Sequence, residues 1–177
     1  MLKYIYRDLV SAAEYLPYGL ALGIPLSAAL VLFMRFNRKK QECQPVFPTI
    51  AFGLYMAIML VITFLSRESG SRPGTMDLEL FSTWGINTRN NAYVVENVLL
   101  FIPYGFLCCL AFKSLRNFFG CLLFGALTSM AVEFLQLATA RGYFQIDDIL
   151  TNILGTVVGY LLFWVFLGRR KSVEDVD

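Results

Sequence analysis

Residues 133–159, EFLQLATARGYFQIDDILTNILGTVVG, decide what kind of molecule this is. The stretch joins two strongly apolar runs, and Glu133, Gln136, Arg141, Asp147, Asp148 and Asn152 stand at the join. A charged side chain inside the hydrocarbon core of a bilayer costs at least ~3 kcal/mol on insertion scales, so ionisable groups among membrane helices mark a candidate functional site. Here they fall at helical spacings. Glu133 and Gln136 are three residues apart and Asp148 and Asn152 four, so each pair shares a helix face.

Working outward, the apolar runs are 16–36, 47–65, 94–112, 118–138 and 149–167. Each approaches the roughly 20 residues that a helix needs to cross the hydrocarbon layer. The expected fold is all-α, a membrane bundle of about five transmembrane helices. Composition agrees: 57% of the 177 residues are hydrophobic and 16% charged, far from the usage of a soluble domain. Five crossings consume most of the chain, so residues 16–177 are read as one bundle. Before it, Leu2, Ile5, Tyr6, Leu9 and Ala13 recur at three- and four-residue steps, opposite Lys3, Arg7, Asp8, Ser11 and Glu14. Residues 1–15 are therefore read as an interfacial amphipathic helix or a helical extension of the first span. The stronger basic cluster follows the first span, unlike a cleaved signal, so that span is expected to remain. A net charge of +2 supplies no basic patch for nucleic acid.

Basic residues set the orientation. Arg35, Arg38, Lys39, Lys40, Lys113, Arg116, Arg169, Arg170 and Lys171 fall on one side, nine against the six of Lys3, Arg7, Arg67, Arg72, Arg89 and Arg141. The positive-inside rule then places the N-terminus outside and the C-terminus inside. Cys43, Cys108, Cys109 and Cys121 fall in or near the inner half, where thiols stay reduced, so no disulfide framework is expected.

The long loop 66–92 alternates Met76, Leu78 and Leu80 with Asp77 and Glu79 before Trp84, a pattern suited either to a solvated loop or to a partial lid along the membrane surface. The third span opens with Glu96 and Asn97, and Pro103 within it removes a backbone donor and favours a kink. In the last span Gly155 and Gly159 continue the stripe of Asp148 and Asn152, a small-residue pattern that lets helices approach closely. In this topology Glu96, Asn97, Glu133, Gln136, Arg141, Asp147, Asp148 and Asn152 lie at the outer ends of spans three to five. Arg67 joins them from the long loop.

Three of these segments in order, ENVLLFIPYG (96–105), EFLQ (133–136) and, after Arg141, DDILTNILG (147–155), resemble the VanZ-like family of bacterial membrane proteins. The resemblance covers about residues 50–165. It implies a cell-envelope protein, and the name-giving members are associated with resistance to the glycopeptide antibiotic teicoplanin.

The residues leave three chemistries open. Glu133 with Asp147 and Asp148 suits acid and base catalysis on a lipid or wall intermediate. Arg67 and Arg141 suit capture of a phosphate or carboxylate on a lipid-linked precursor, a glycopeptide or a partner. Polar contacts that merely hold helices together, such as a Glu133–Arg141 pair, need no ligand at all. No cofactor motif is evident, and Mg²⁺ or Ca²⁺ is the cation class that clustered carboxylate and amide oxygens would take. The chain has no histidine, which argues against a histidine triad and a typical zinc site. Neither GxSxG nor a P-loop occurs, and Ser129 or Thr128 as nucleophile has no evident base. The inner halves of spans three to five offer little polarity beyond Cys108, Cys109 and Thr156, which disfavours a transport path.

Overall fold

The computed structural model describes residues 1–36, 45–65, 67 and 75–168. Arg38, Lys39, Lys40, Cys43, Arg72 and the basic tail from Arg169 to Lys171 lie outside the described residues. Among the described residues the fold is mainly helical, with α1 at Leu2–Ala13, α2 at Leu16–Phe36, α3 at Val46–Leu60, α4 at Thr88–Ala111, α5 at Phe118–Ala138 and α6 at Ile146–Phe163. A π-helical turn extends α3 over Val61–Leu65 and another extends α6 over Trp164–Gly168. Among the described residues five helices are long and apolar enough to cross a membrane. The first and fourth coincide with the apolar runs that define them.

The third span begins at Thr88, six residues before the apolar run. Asn87 explains the difference: its side-chain oxygen accepts the N–H of Asn90 at 2.8 Å and so starts the helix within polar sequence. Glu96 and Asn97 consequently sit two turns inside α4 rather than at its end. Likewise α6 starts at Ile146, which puts Asp147 and Asp148 in its first turn. There the unpaired N–H groups and the helix dipole favour carboxylates.

α4 and α6 run parallel through the centre of the bundle, and glycines set their separation. A Cβ on Gly155 would strike the carbonyl of Val98, and one on Gly159 the carbonyl of Ile102. α2 approaches α3 in the same way, with a Cβ on Gly19 falling 2.9 Å from the Ile58 Cα. Lipid tails are as apolar as leucine, so such close backbone packing, rather than a hydrophobic drive, holds membrane helices together. An aromatic core forms where α3, α4 and α5 meet. The Phe52 ring lies 5.7 Å from Tyr104, Tyr104 stacks on Phe124 at 5.8 Å, and the Tyr104 hydroxyl shares a 2.7 Å hydrogen bond with Thr128.

α1 ends at a turn before α2, so it is a separate helix. Its Ile5 is buried, and Arg89 of α4 lies over the rings of Tyr4 and Tyr93 while approaching Asp8 at 3.9 Å. The long connection carries the two-residue strand β1, Met76–Asp77, paired in parallel with β2, Phe144–Gln145. That pairing holds the connection across the N-terminus of α6, with Met76, Leu78, Leu80, Phe81 and Trp84 exposed.

Candidate functional site

The site is built around the C-terminal end of α5. There the chain makes a two-bond cap: the N–H of Arg141 reaches the carbonyl of Gln136 at 2.9 Å and that of Ala140 reaches Leu137 at 3.1 Å, with Ala140 at φ 51°. This reversal sends Arg141 back toward the end of α3. Its guanidinium donates to the carbonyls of Phe64 at 3.0 Å and Arg67 at 3.1 Å, and lies 4.8 Å over the Phe64 ring. Gln136 donates to the carbonyl of Thr63 at 3.0 Å. The last carbonyls of any helix lack intrahelical partners. Gln136 and Arg141 thus close the end of α3, and a cation is favourable at that negative pole.

Glu133 makes a different contact from the Glu133–Arg141 pair that illustrates a purely structural role. Its buried carboxylate accepts the N–H of Gln145, the residue before α6, at 3.1 Å. Asp148 and Arg67 lie within electrostatic range of it. Asp147 points the other way, into the long connection: one carboxylate oxygen accepts the N–H of Phe81 at 2.7 Å and the other that of Thr83 at 2.9 Å. Deeper along α6, Asn152 donates to the Ser129 hydroxyl at 2.9 Å, and both residues are buried. Ser129 therefore contacts an amide, not a base.

The nine residues singled out from sequence separate into two neighbourhoods. Glu133, Gln136, Arg141, Arg67, Asp147 and Asp148 converge around the α5–α6 turn, with Asn152 deeper along α6. Glu96 instead has Asp8, Arg89 and Arg7 as its charged neighbours, on the side of α4 that receives α1. Asn97 is half-buried beside it on α4. Four contributors were not singled out: Gln145, Phe81 and Thr83 through their backbone N–H groups, and Gly142. A Cβ on Gly142 would lie 2.8 Å from an Arg67 nitrogen and 3.0 Å from the Gln136 side-chain oxygen, so Gly142 leaves room for both. Its position next to Arg141, within the polar join, was the available signal.

Two observations bear on a ligand. First, the side-chain oxygen of Gln136 is buried and accepts no hydrogen bond, and its orientation is fixed because the Thr63 carbonyl can only accept. Second, an apolar groove of about 330 Å³ opens between α3 and α5, lined by Met56, Leu60, Leu127, Thr128, Val132 and Leu135 among others. Val132 and Leu135 stand next to Glu133 and Gln136 along α5, so the groove and the polar cluster lie at the same level of that helix, on different faces of it. Among the described residues, the group of three or more metal-ligating side chains with ligand atoms within 4.8 Å is Cys108, Cys109 and Cys121, at the other end of the bundle, and not the carboxylates.

The sequence pattern of the VanZ/LLP1 family matches residues 26–167, most of the chain and all nine of these positions. The chain belongs to that family. It is 33% identical over 114 residues to Protein VanZ of Enterococcus faecium, a match that takes in 64% of this chain and 63% of that protein. The match thus spans less than two thirds of that VanZ protein's length. No solved structure matches this VanZ/LLP1 member. Helix α1, whose Asp8 and Arg7 lie within electrostatic range of Glu96, precedes the family match, whereas Glu96 itself, the α5–α6 turn and the groove lie within it.

Proposed function

We propose that this VanZ/LLP1 protein binds the polar headgroup of an amphiphile at the Glu133, Gln136, Asp148 and Arg67 cluster, while the apolar chain lies in the groove between α3 and α5. The observation that supports this reading is that a buried carboxylate, an unpaired amide oxygen and a guanidinium stand near one another at the end of α5, at the same level of that helix as an apolar groove. A lipid-linked cell-wall precursor or a glycopeptide antibiotic is the matching ligand class, since either presents amide, hydroxyl and anionic groups. Arg67 suits a phosphate or carboxylate, and Glu133 with Gln136 suits hydroxyl and amide donors.

The protein lies in the bacterial cytoplasmic membrane with its N-terminus outside, supported by the nine-to-six distribution of basic residues. The site then faces the outer leaflet, where such ligands are found, and an effect on teicoplanin susceptibility follows from capture of the antibiotic or its target. Binding is favoured over catalysis because Asp147, Gln136 and Arg141 are already committed to backbone groups, and Ser129, the hydroxyl bonded to Asn152, has an amide rather than a base as its partner among the described residues.

The test is a photoreactive long-chain prenyl phosphate presented to the full chain in lipid nanodiscs. Crosslinks are expected at Leu127 and Leu135, on α5, and competition by teicoplanin is expected if the antibiotic shares the site. Uniform labelling of all lipid-facing helices would refute a defined groove.

A further inference from the structure

At the opposite end of the bundle from the α5–α6 turn, three thiols meet. Cys108 and Cys109 follow one another on α4, and α5 crosses so that Cys121 touches both. The sulfur separations are 4.0 Å between Cys108 and Cys109, 3.6 Å between Cys108 and Cys121, and 3.6 Å between Cys109 and Cys121. All three residues are buried and all three thiols are free. A disulfide needs sulfurs about 2.05 Å apart, so no pair is bonded. The point equidistant from the three sulfurs lies about 2.2 Å from each, against a zinc–thiolate distance of about 2.3 Å. A cation slightly out of the sulfur plane satisfies all three at once.

A second observation concerns charge. Arg116, in the short turn between α4 and α5, is turned inward. Its guanidinium donates to the Cys109 carbonyl at 3.1 Å and lies 5.8 Å over the Phe163 ring. It has no carboxylate partner among the described residues. Three neutral thiols give this cation nothing to neutralise, whereas thiolates around a metal ion do. With Zn(II) the three-thiolate complex carries one negative charge, which Arg116 balances.

We propose that Cys108, Cys109 and Cys121 bind one soft d¹⁰ cation, Zn(II) or Cu(I), in a three-sulfur site beneath the α4–α5 turn. Soft thiolate ligands select these ions over Mg²⁺ or Ca²⁺, and the chain has no histidine to take part. On binding Zn(II), each Cys–SH loses its proton to water and its sulfur donates a lone pair to the ion. No electron is transferred. The weak hydrogen bonds that the Cys108 and Cys109 thiols make to the carbonyls of Gly105 and Leu115, both at 3.3 Å, are exchanged for metal–sulfur bonds. Packing alone, with cysteine acting as a small hydrophobe, is the competing explanation.

The experiment uses the full chain carrying Cys43→Ser, purified in detergent under reducing, anaerobic conditions. It is titrated in separate arms with Zn(II) and with Cu(I) against chromophoric competitors, with protons released followed in weakly buffered solution. One ion per chain, about three protons released per Zn(II), and protection of three thiols from alkylation are expected. Cys121→Ala is expected to weaken binding at least tenfold while the detergent-solubilised protein stays monodisperse. The arm with the tighter binding identifies the ion. Substoichiometric binding of both ions by the monodisperse Cys43→Ser protein would overturn the proposal, as would equal binding by the Cys121→Ala variant or isolation of these cysteines as a disulfide from cells.

Discussion

Ala140 holds a backbone conformation that L-residues avoid, with φ 51°, to complete the cap on α5. Its methyl group costs of order 1 kcal/mol in that region, partly offset because glycine would loosen the unfolded chain. Ala140→Gly is therefore expected to raise the thermal midpoint, by up to about 1 kcal/mol in stability; a lower midpoint would mean that the methyl makes a needed contact. Asp147 behaves oppositely. Asp147→Asn turns an NH₂ group toward one of two backbone donors, and the unpaired donor costs about 1–3 kcal/mol. Limited proteolysis of the 76–86 segment should accelerate in that variant, and unchanged cleavage would contradict its role as the pin of this connection. Asp77 adds a pH dependence: the Ser82 hydroxyl and then the Glu79 N–H hold its carboxyl below the usual aspartate value. The folded value is lower than the unfolded one, so this contribution is present above the ordinary aspartate pKa and lost as pH falls through the depressed one. None of these roles was legible in the sequence, because the partners of Asp147 lie 64 and 66 residues away and Ala140 carries no glycine to announce the cap.

At the level of helices, the apolar runs gave number and order directly, since each must satisfy its backbone internally to cross the bilayer. Their ends were harder to read. Polar first turns, such as Thr88 to Tyr93 in α4, are started by an N-cap and invisible to hydropathy. The small-residue stripe of Gly155 and Gly159 was legible because spacing alone puts both on one face, and its partner is the carbonyl row of α4. Gly159→Leu would press a side chain against the Ile102 carbonyl, and overpacking of this kind costs roughly 1–3 kcal/mol or more. The expected outcome is a lower melting temperature and faster proteolysis than in Leu154→Ala, whose residue is exposed on the same helix. Equal behaviour of the two variants would mean that α4 and α6 are not locked together by this stripe.

Across the whole molecule, a single polar cluster over three helices was the expectation, and the fold instead separates Glu96 from Glu133. The reason is rotational: α4 presents Val98, Phe101 and Ile102 to α6, while Glu96 is turned toward α1. Helix rotation about its axis follows from packing partners, which a single sequence does not list. Orientation in the membrane has a direct check. In a cysteine-free background a thiol introduced beside Arg72 is expected to react with an impermeant reagent on intact cells, and labelling only after permeabilisation would reverse the assignment.

In the proposed site a carboxylate and a guanidinium hold a ligand headgroup, and one binding measurement decides whether they do. Glu133→Gln keeps an oxygen for the Gln145 N–H and removes only the charge, so the fold is expected to survive. Affinity for the prenyl phosphate probe is measured in nanodiscs for the natural protein, Glu133→Gln and Arg67→Gln. At least tenfold weaker binding is expected for Arg67→Gln and an altered affinity for Glu133→Gln, both at unchanged thermal midpoint. Unchanged affinity in both variants would contradict that role and leave the cluster as a purely structural join between α3, α5 and α6.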